Sequence, residues 1–252
     1  YEFVFGDWSS AVCSSDLIDT WGCDHGLLDD RGRLLGLCHQ YRDPRHEGMP
    51  AAMHARMPEQ EIYAHTGIKT NFYNSSLHLL AEHLAGSPAL AAANRLLFTP
   101  DLLAYWLCGV QAVERTIAST SQLFNPNTND WAWPVIDALG LPRRIFGRVV
   151  PAGTVLGPLR DEVARIVGRH GIPVVASATH DTAAAAAGIP LDGDDQLWLS
   201  SGTWSIMGLE LAAPITTRDA FDAGFCNELG VAGSVCLLKT ISGLWLIQEC
   251  KR

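Results

Sequence analysis

With 252 residues, nearly half of them apolar and 18% charged, this chain has enough apolar material for a proper core and is not a disordered tail. A formal charge of −9 with no basic stripe argues against a nucleic-acid partner, while leaving room for phosphates held by local amides and a divalent cation. The longest apolar run, residues 102–110, contains a glycine and is too short for a membrane span, and the first residues lack the basic-then-apolar pattern of a secretory signal.

Residues 9–16 are serine-rich and aperiodic and predict no element. Residues 17–23 read as a strand broken at Gly22 and continued by 25–28; residues 29–32 turn it, and 33–38 form the return strand. After 41–45 leaves the sheet, short helices are expected over 59–65, ending at Gly67, and over 74–84, where Leu77, Leu80, Ala81 and Leu84 share a face. Further helices follow over 88–94 and 100–107, each with proline near its first turn, where a missing N–H costs little. Residues 125–130 form a loop and 131–139 another short helix. Residues 174–178 read as a buried-type strand, followed by an alanine-rich helix over 182–187 that ends at Gly188. Strands over 197–200 and 205–210 are joined by Gly202-Thr203; a later strand covers 235–239, and a helix opens over 242–251. Interleaved strands and helices define an α/β class, and the composition shift at 190–195 marks the domain boundary.

Asp181, at the mouth of the alanine-rich helix, and the turn Ser200-Ser201-Gly202-Thr203 form the most informative pair. A carboxylate at a strand-to-helix turn can accept an alcohol proton, and a Gly-Thr turn can set amides and a hydroxyl against phosphate oxygens. Together they point to phosphoryl transfer onto a hydroxyl. The plain alternatives are that Thr179 or Asp181 only caps the helix, and that the turn is an ordinary hairpin. Asp19, Trp21, Gly22 and Asp24 could hold sugar hydroxyls or, through water, Mg²⁺; a strand end with solvated acids is the reading the residues favour by themselves. Arg42, Asp43 and Arg45 fit a sugar-hydroxyl site or a surface ion-pair set.

Seven cysteines form no CxxC pair and leave one over, which suits a reducing cytoplasm better than a disulfide framework. No HExxH or zinc-spaced cluster is present, and GxSxG, GxGxxG and GxxxxGK[ST] are all missing. Zinc sites, serine hydrolases, dinucleotide enzymes and P-loop kinases therefore lack their signatures.

The segments IDTWGCD (18–24), YRDPR (41–45), SATHDT (177–182), LSSGTWSIMG (199–208) and LLKTISGLWLIQ (237–248) resemble the rhamnulokinase branch of the FGGY carbohydrate kinase family. The resemblance runs from about Leu17 to Arg252. It implies a two-domain sugar kinase fold of the actin/Hsp70/hexokinase type with ribonuclease-H-like cores, here as a fragment. Residues 17–189 would form most of the sugar-binding domain and 190–252 the start of the ATP-binding domain, whereas residues 1–16 resemble nothing in the family and read as foreign to it. By the same resemblance Asp181 is the catalytic base. Gly22, His180, Asp181 and Thr182 bind substrate, and Thr203, Gln248 and Thr240 contact ATP, Thr240 standing where the branch usually carries asparagine. The implied reaction is ATP- and Mg²⁺-dependent phosphorylation of the 1-hydroxyl of L-rhamnulose by a cytoplasmic enzyme. A kinase for L-fuculose, L-xylulose or another ketose, or a non-catalytic sugar-binding protein on the same fold, remains open at this point. The family's phosphate loop and adenine-side loop have no counterpart in this text, so residues 1–252 alone are expected to be inactive.

Overall fold

The structure is a computed structural model, and it describes residues 17–191, 193, 196–201, 204–243 and 249–251. Strand β1 (His25–Leu28) is followed by helices α1 (Met49–His54), α2 (Glu59–Thr66), α3 (Ser75–Leu84) and α4 (Pro88–Ala92). Strand β2 (Arg95–Phe98) leads into α5 (Thr99–Cys108), β3 (Val113–Glu114) and α6 (Arg115–Ser119). Strands β4 (Phe124–Asn125) and β5 (Asp130–Trp131) precede α7 (Trp133–Ala138), β6 (Val149–Val150), β7 (Thr154–Pro158), α8 (Asp161–Val167) and β8 (Pro173–Ala176). Helix α9 (Asp181–Ala187) hands the chain to β9 (Leu197–Ser201), β10 (Trp204–Leu211), α10 (Arg218–Ala223), β11 (Cys226–Leu229) and β12 (Val235–Ser242). Among the described residues, no helix is long and apolar enough to cross a membrane.

The helical first part closes over one large apolar core. Leu77, Leu79 and Leu80 of α3, Leu96 to Phe98 of β2, Ile117, Phe124, Val135 and Ile136 are all buried in it. Each such side chain removed from water contributes about 1.5–3 kcal/mol, which outweighs the weak intrinsic stability of helices this short. The 3.6-residue spacing places Leu77 and Leu80 inward as expected. Leu79 and His78 are buried as well, because α1 and the turn at Pro44–His46 cover a second side of α3.

Strands β11, β12, β10 and β9 form an antiparallel sheet in that order. Side chains alternate across it. Trp198, Cys236 and Leu238 face Ala186 of α9, while Leu229 and Val235 point the other way into the large core. The sheet is tied to the helices at one buried residue, Asn227. Its Oδ1 accepts the Ile215 amide at 2.7 Å, and its Nδ2 donates to the carbonyls of Ile215 (3.0 Å) and of Gly67 at the end of α2 (3.3 Å).

Several expected elements differ. Residues 17–23 form no strand; only Thr20 pairs, in a parallel bridge to His180. The return strand over 33–38 is reduced to one bridge, Leu34 to Leu28, since Gly36 at φ +80° turns the chain away and β1 takes β2 as its partner instead. Strand β8 is not a buried-type strand: Val174 and Ala176 are buried while Val175 is exposed, as befits an edge pairing with β7 alone. Ser242 ends β12 and does not start a helix. Residues 244–248 lie outside the described part.

Replacing Asn227 with alanine leaves the part-buried Ile215 amide and two carbonyls without their side-chain partner. The expected loss is about 2–3 kcal/mol of unfolding free energy in urea titration; a change below about 0.5 kcal/mol would show that backbone contacts alone hold the sheet on the helices.

Candidate active site around Asp181

The site is assembled by pairing between distant segments. Thr20 donates its amide to the Thr179 carbonyl and accepts the Asp181 amide, both at 2.9 Å, and Ser177 Oγ donates to the Ile18 carbonyl at 2.7 Å. Residues 18–20 thus lie alongside 177–181, and the chain runs directly on into Trp21 and Gly22. Gly22 is a position of close approach: a Cβ there would meet Thr120 Oγ1 at 2.9 Å. The Thr120 hydroxyl accepts the Cys23 amide at 3.1 Å, and Cys23 itself adopts a left-handed φ of 73°. A side chain at residue 22 would push this turn off Thr120.

Behind the site lies a buried acid that the sequence reading did not single out. Glu114, 1% exposed, caps α6: its Oε2 accepts the amide and hydroxyl of Thr116. The same oxygen accepts Thr179 Oγ1 at 2.9 Å and the Thr179 amide at 3.2 Å, and Thr116 Oγ1 accepts the His180 amide at 3.2 Å. One carboxylate therefore binds the start of α6 to the two residues preceding Asp181. The helix-cap alternative for Thr179 fails, because its hydroxyl is spent on Glu114. Glutamate is not a preferred cap residue, so no local pattern marked Glu114. Asp101 stands next to it and accepts the Glu114 amide at 2.9 Å.

His180 is buried and Asp181 half-exposed, with 54% of its side chain open to solvent. Asp181 Oδ1 accepts the Thr182 amide at 2.6 Å and the Thr182 hydroxyl at 3.2 Å, and His180 Nε2 lies 3.5 Å from the same oxygen. Oδ2 has no hydrogen-bond partner among the described residues. His180, Asp181 and Thr182 thus stand together, and Gly22 comes two residues after Thr20, which pairs with 179–181. Thr240 is exposed on β12, opposite Ile206 in the register. Thr203 and Gln248 lie outside the described residues, as does the turn at Gly202.

The acids beside Trp21 behave differently from the strand-end expectation. Asp19 is exposed, but Asp24 is buried and accepts Trp21 Nε1 at 2.9 Å, and burial pushes its carboxyl above the ordinary range. Asp24 and Arg45 line one cavity of about 380 Å³, together with His25, His39, His78 and Glu82. Burial holds His25 and His78 down at about 4, so both rings are neutral. Arg45 pairs with Asp43 at 3.2 Å and Glu82 at 3.0 Å, and Arg42 lies over the Tyr41 ring, which is the ion-pair reading of that segment. Among the described residues no group of three or more His, Cys, Asp or Glu side chains is placed to ligate a metal.

The α/β frame that carries this carboxylate is the fold of solved sugar kinases. Over 93% of its length the chain matches the ligand-bound xylulose kinase of Lactobacillus acidophilus with a TM-score of 0.83 at 15% identity, covering 47% of that chain. Residues 18–188 match the N-terminal domain of the FGGY family of carbohydrate kinases, and the chain belongs to that family. It is 43% identical over 234 residues to a rhamnulokinase of Bacteroides thetaiotaomicron, covering 93% of this chain and 48% of that protein. To a rhamnulokinase of Enterococcus faecalis it is 38% identical over 235 residues, covering 93% of this chain and 47% of that one. The chain spans about half the length of these curated relatives.

Burial, and after it the nearby Glu114 charge, raise the Asp101 carboxyl well above its usual range. The folded protein therefore holds a proton on Asp101 at pH values where the unfolded chain, near its ordinary value of about 4, has released it. Its stabilising contribution is complete below that value and is lost as pH rises through the folded one. Asparagine keeps the shape and the acceptor for the Glu114 amide without this loss. Asp101→Asn is expected to gain stability over the parent from pH 5 to pH 8 in urea midpoints; parallel curves would show that Asp101 does not titrate there.

Proposed function

We propose that this chain carries the ketose-binding region and the general base of an ATP-dependent sugar kinase, acting on L-rhamnulose to give the 1-phosphate. The observation that carries the reading is the state of Asp181: its side chain is 54% exposed, Oδ1 is held by Thr182, and Oδ2 has no hydrogen-bond partner among the described residues. A sugar hydroxyl donating to Oδ2 would lose its proton there as its oxygen attacks the terminal phosphorus in line. Gly22 lets the turn that follows Thr20 close onto Thr120, and His180 and Thr182 border the Asp181 carboxylate. Rhamnulokinase relatives at 43% and 38% identity support the choice of ketose.

In this reading residues 17–189 form the sugar-side domain and residues 190–252 begin the nucleotide-side domain, with Thr203, Gln248 and Thr240 towards ATP. An Mg²⁺ would enter bound to the ATP phosphates and neutralise part of their charge. The setting is a cytoplasmic sugar-metabolising enzyme. Other ketoses differ from L-rhamnulose in hydroxyl orientation, which a pocket discriminates by leaving polar groups unpaired.

Asp181→Asn preserves size and the acceptor for the Thr182 amide but cannot take a proton. In the full-length protein it is expected to lower kcat by about 10²–10⁴-fold while ketose binding, measured by calorimetry, stays within a factor of a few. Turnover close to that of the parent would remove Asp181 from the mechanism. A larger kcat/KM for L-fuculose or L-xylulose than for L-rhamnulose would reassign the substrate within the same chemistry.

A further inference from the structure

The mechanism above leaves unused an acid on the other side of His180. Glu228 lies on β11 directly opposite Cys236 of β12, hence on the sheet face that packs against α9. That placement directs its carboxylate at the start of the helix, where Glu228 Oε2 is 3.3 Å from His180 Nδ1. The ring's other nitrogen, Nε2, is 3.5 Å from Asp181 Oδ1. Glu228, His180 and Asp181 therefore stand in line, one carboxylate at each ring nitrogen.

The surroundings make His180 the group that answers the Glu228 charge. The titratable neighbours of Glu228 are Cys23, Tyr73, Cys226 and Cys236, besides His180 and Asp181. Burial pushes the three thiols up to about 12 and the Tyr73 phenol up as well, so these groups are neutral around pH 7. Lys69, near Cys226, is engaged by Glu59 at 3.3 Å and sits over the Phe221 ring. Burial raises the Glu228 carboxyl, and His180 is the neighbour that pulls it back. The Glu228 side chain is 19% exposed, and His180 is the basic side chain placed beside it. His180 Nδ1 is buried, lies 3.3 Å from Glu228 Oε2 and makes no aligned hydrogen bond elsewhere or to that oxygen.

We propose that Glu228 is a positioning residue for Asp181, acting through His180: its carboxylate holds the proton on Nδ1 and fixes the ring so that Nε2 faces Asp181 Oδ1. This rests on Asp181 being the base. With a proton on each nitrogen the ring donates to Glu228 from Nδ1 and towards Asp181 Oδ1 from Nε2, beside Thr182, and Oδ2 is the oxygen left to take the sugar proton. The same contact links the start of α9 to the sheet that follows it, so the base is oriented from the β11 side of the molecule as well as from Glu114. Glu228 shares this face with Cys226, Cys236 and Leu238 and with a second acid, Glu210, which accepts the Ser234 hydroxyl.

The test is a double-mutant cycle in the full-length protein, with ATP and L-rhamnulose as substrates, using Glu228→Gln, His180→Asn and the pair. Glu228→Gln is expected to lower kcat about tenfold or more with the KM for L-rhamnulose and the urea midpoint little changed, and to have no further effect once His180 is asparagine. Long-range ¹H–¹⁵N NMR of the His180 ring should show a proton on both nitrogens in the parent and loss of the one on Nδ1 in Glu228→Gln. Equal kcat losses from Glu228→Gln in both backgrounds, or an unchanged ring protonation, would overturn the proposal. Asp181→Asn separates the two readings: if it abolishes turnover while the cycle is additive, the base stands and the role of Glu228 falls.

Discussion

The buried carboxylate of Glu114 is the interaction on which the site depends. A lone ionised carboxylate inside a protein costs several kcal/mol, and it persists only when donors replace the water it has lost. Glu114 finds them in two places far apart in sequence, at Thr116 in its own helix and at Thr179 beside the candidate base. Satisfying that acid and placing Asp181 are therefore one event. If Thr179 moved, Glu114 would lose two donors in a dry environment, so the turn is held by a penalty and not only by its own modest hydrogen bonds.

Around this pin the architecture divides the work between the two faces of a sheet. Leu229 and Val235 join the large helical core, and Trp198, Cys236 and Leu238 pack on α9. Asn227, next to Glu228, is locked to the end of α2, which fixes the height at which β11 passes the start of α9. With adjacent residues pointing to opposite faces, Asn227 sets the strand and Glu228 is carried to His180 as a consequence. Apolar burial supplies the free energy in this arrangement, and a few buried polar groups select one geometry from those the core would tolerate.

Much of this was legible from one dimension. Helices α2, α3 and α5 follow from apolar spacing, terminal glycines and proline at the first turn, all of which act within a few residues. Asp181 was found because a strand, a turn and an alanine-rich helix are local features. The strand expected over residues 33–38 did not form, because the competing partner for β1 lies some seventy residues away in β2. Local alternation cannot weigh that competition. The segment over residues 174–178 read as buried for the same reason: whether a strand is central or at an edge depends on what lies beside it.

What the sequence determined by itself is the α/β class, the family resemblance, and which side chains are candidates for chemistry, since these rest on residue identity and spacing along the chain. What only the tertiary structure decided is which of the acids act together. Asp19 stays in solvent while Asp24 is buried; Glu114 and Glu228, unremarkable in the text, flank His180 and Asp181 from two sides. The physical reason is that a carboxylate's state is set by desolvation and by the donors within about 3 Å of it, and those are contributed by residues tens of positions away.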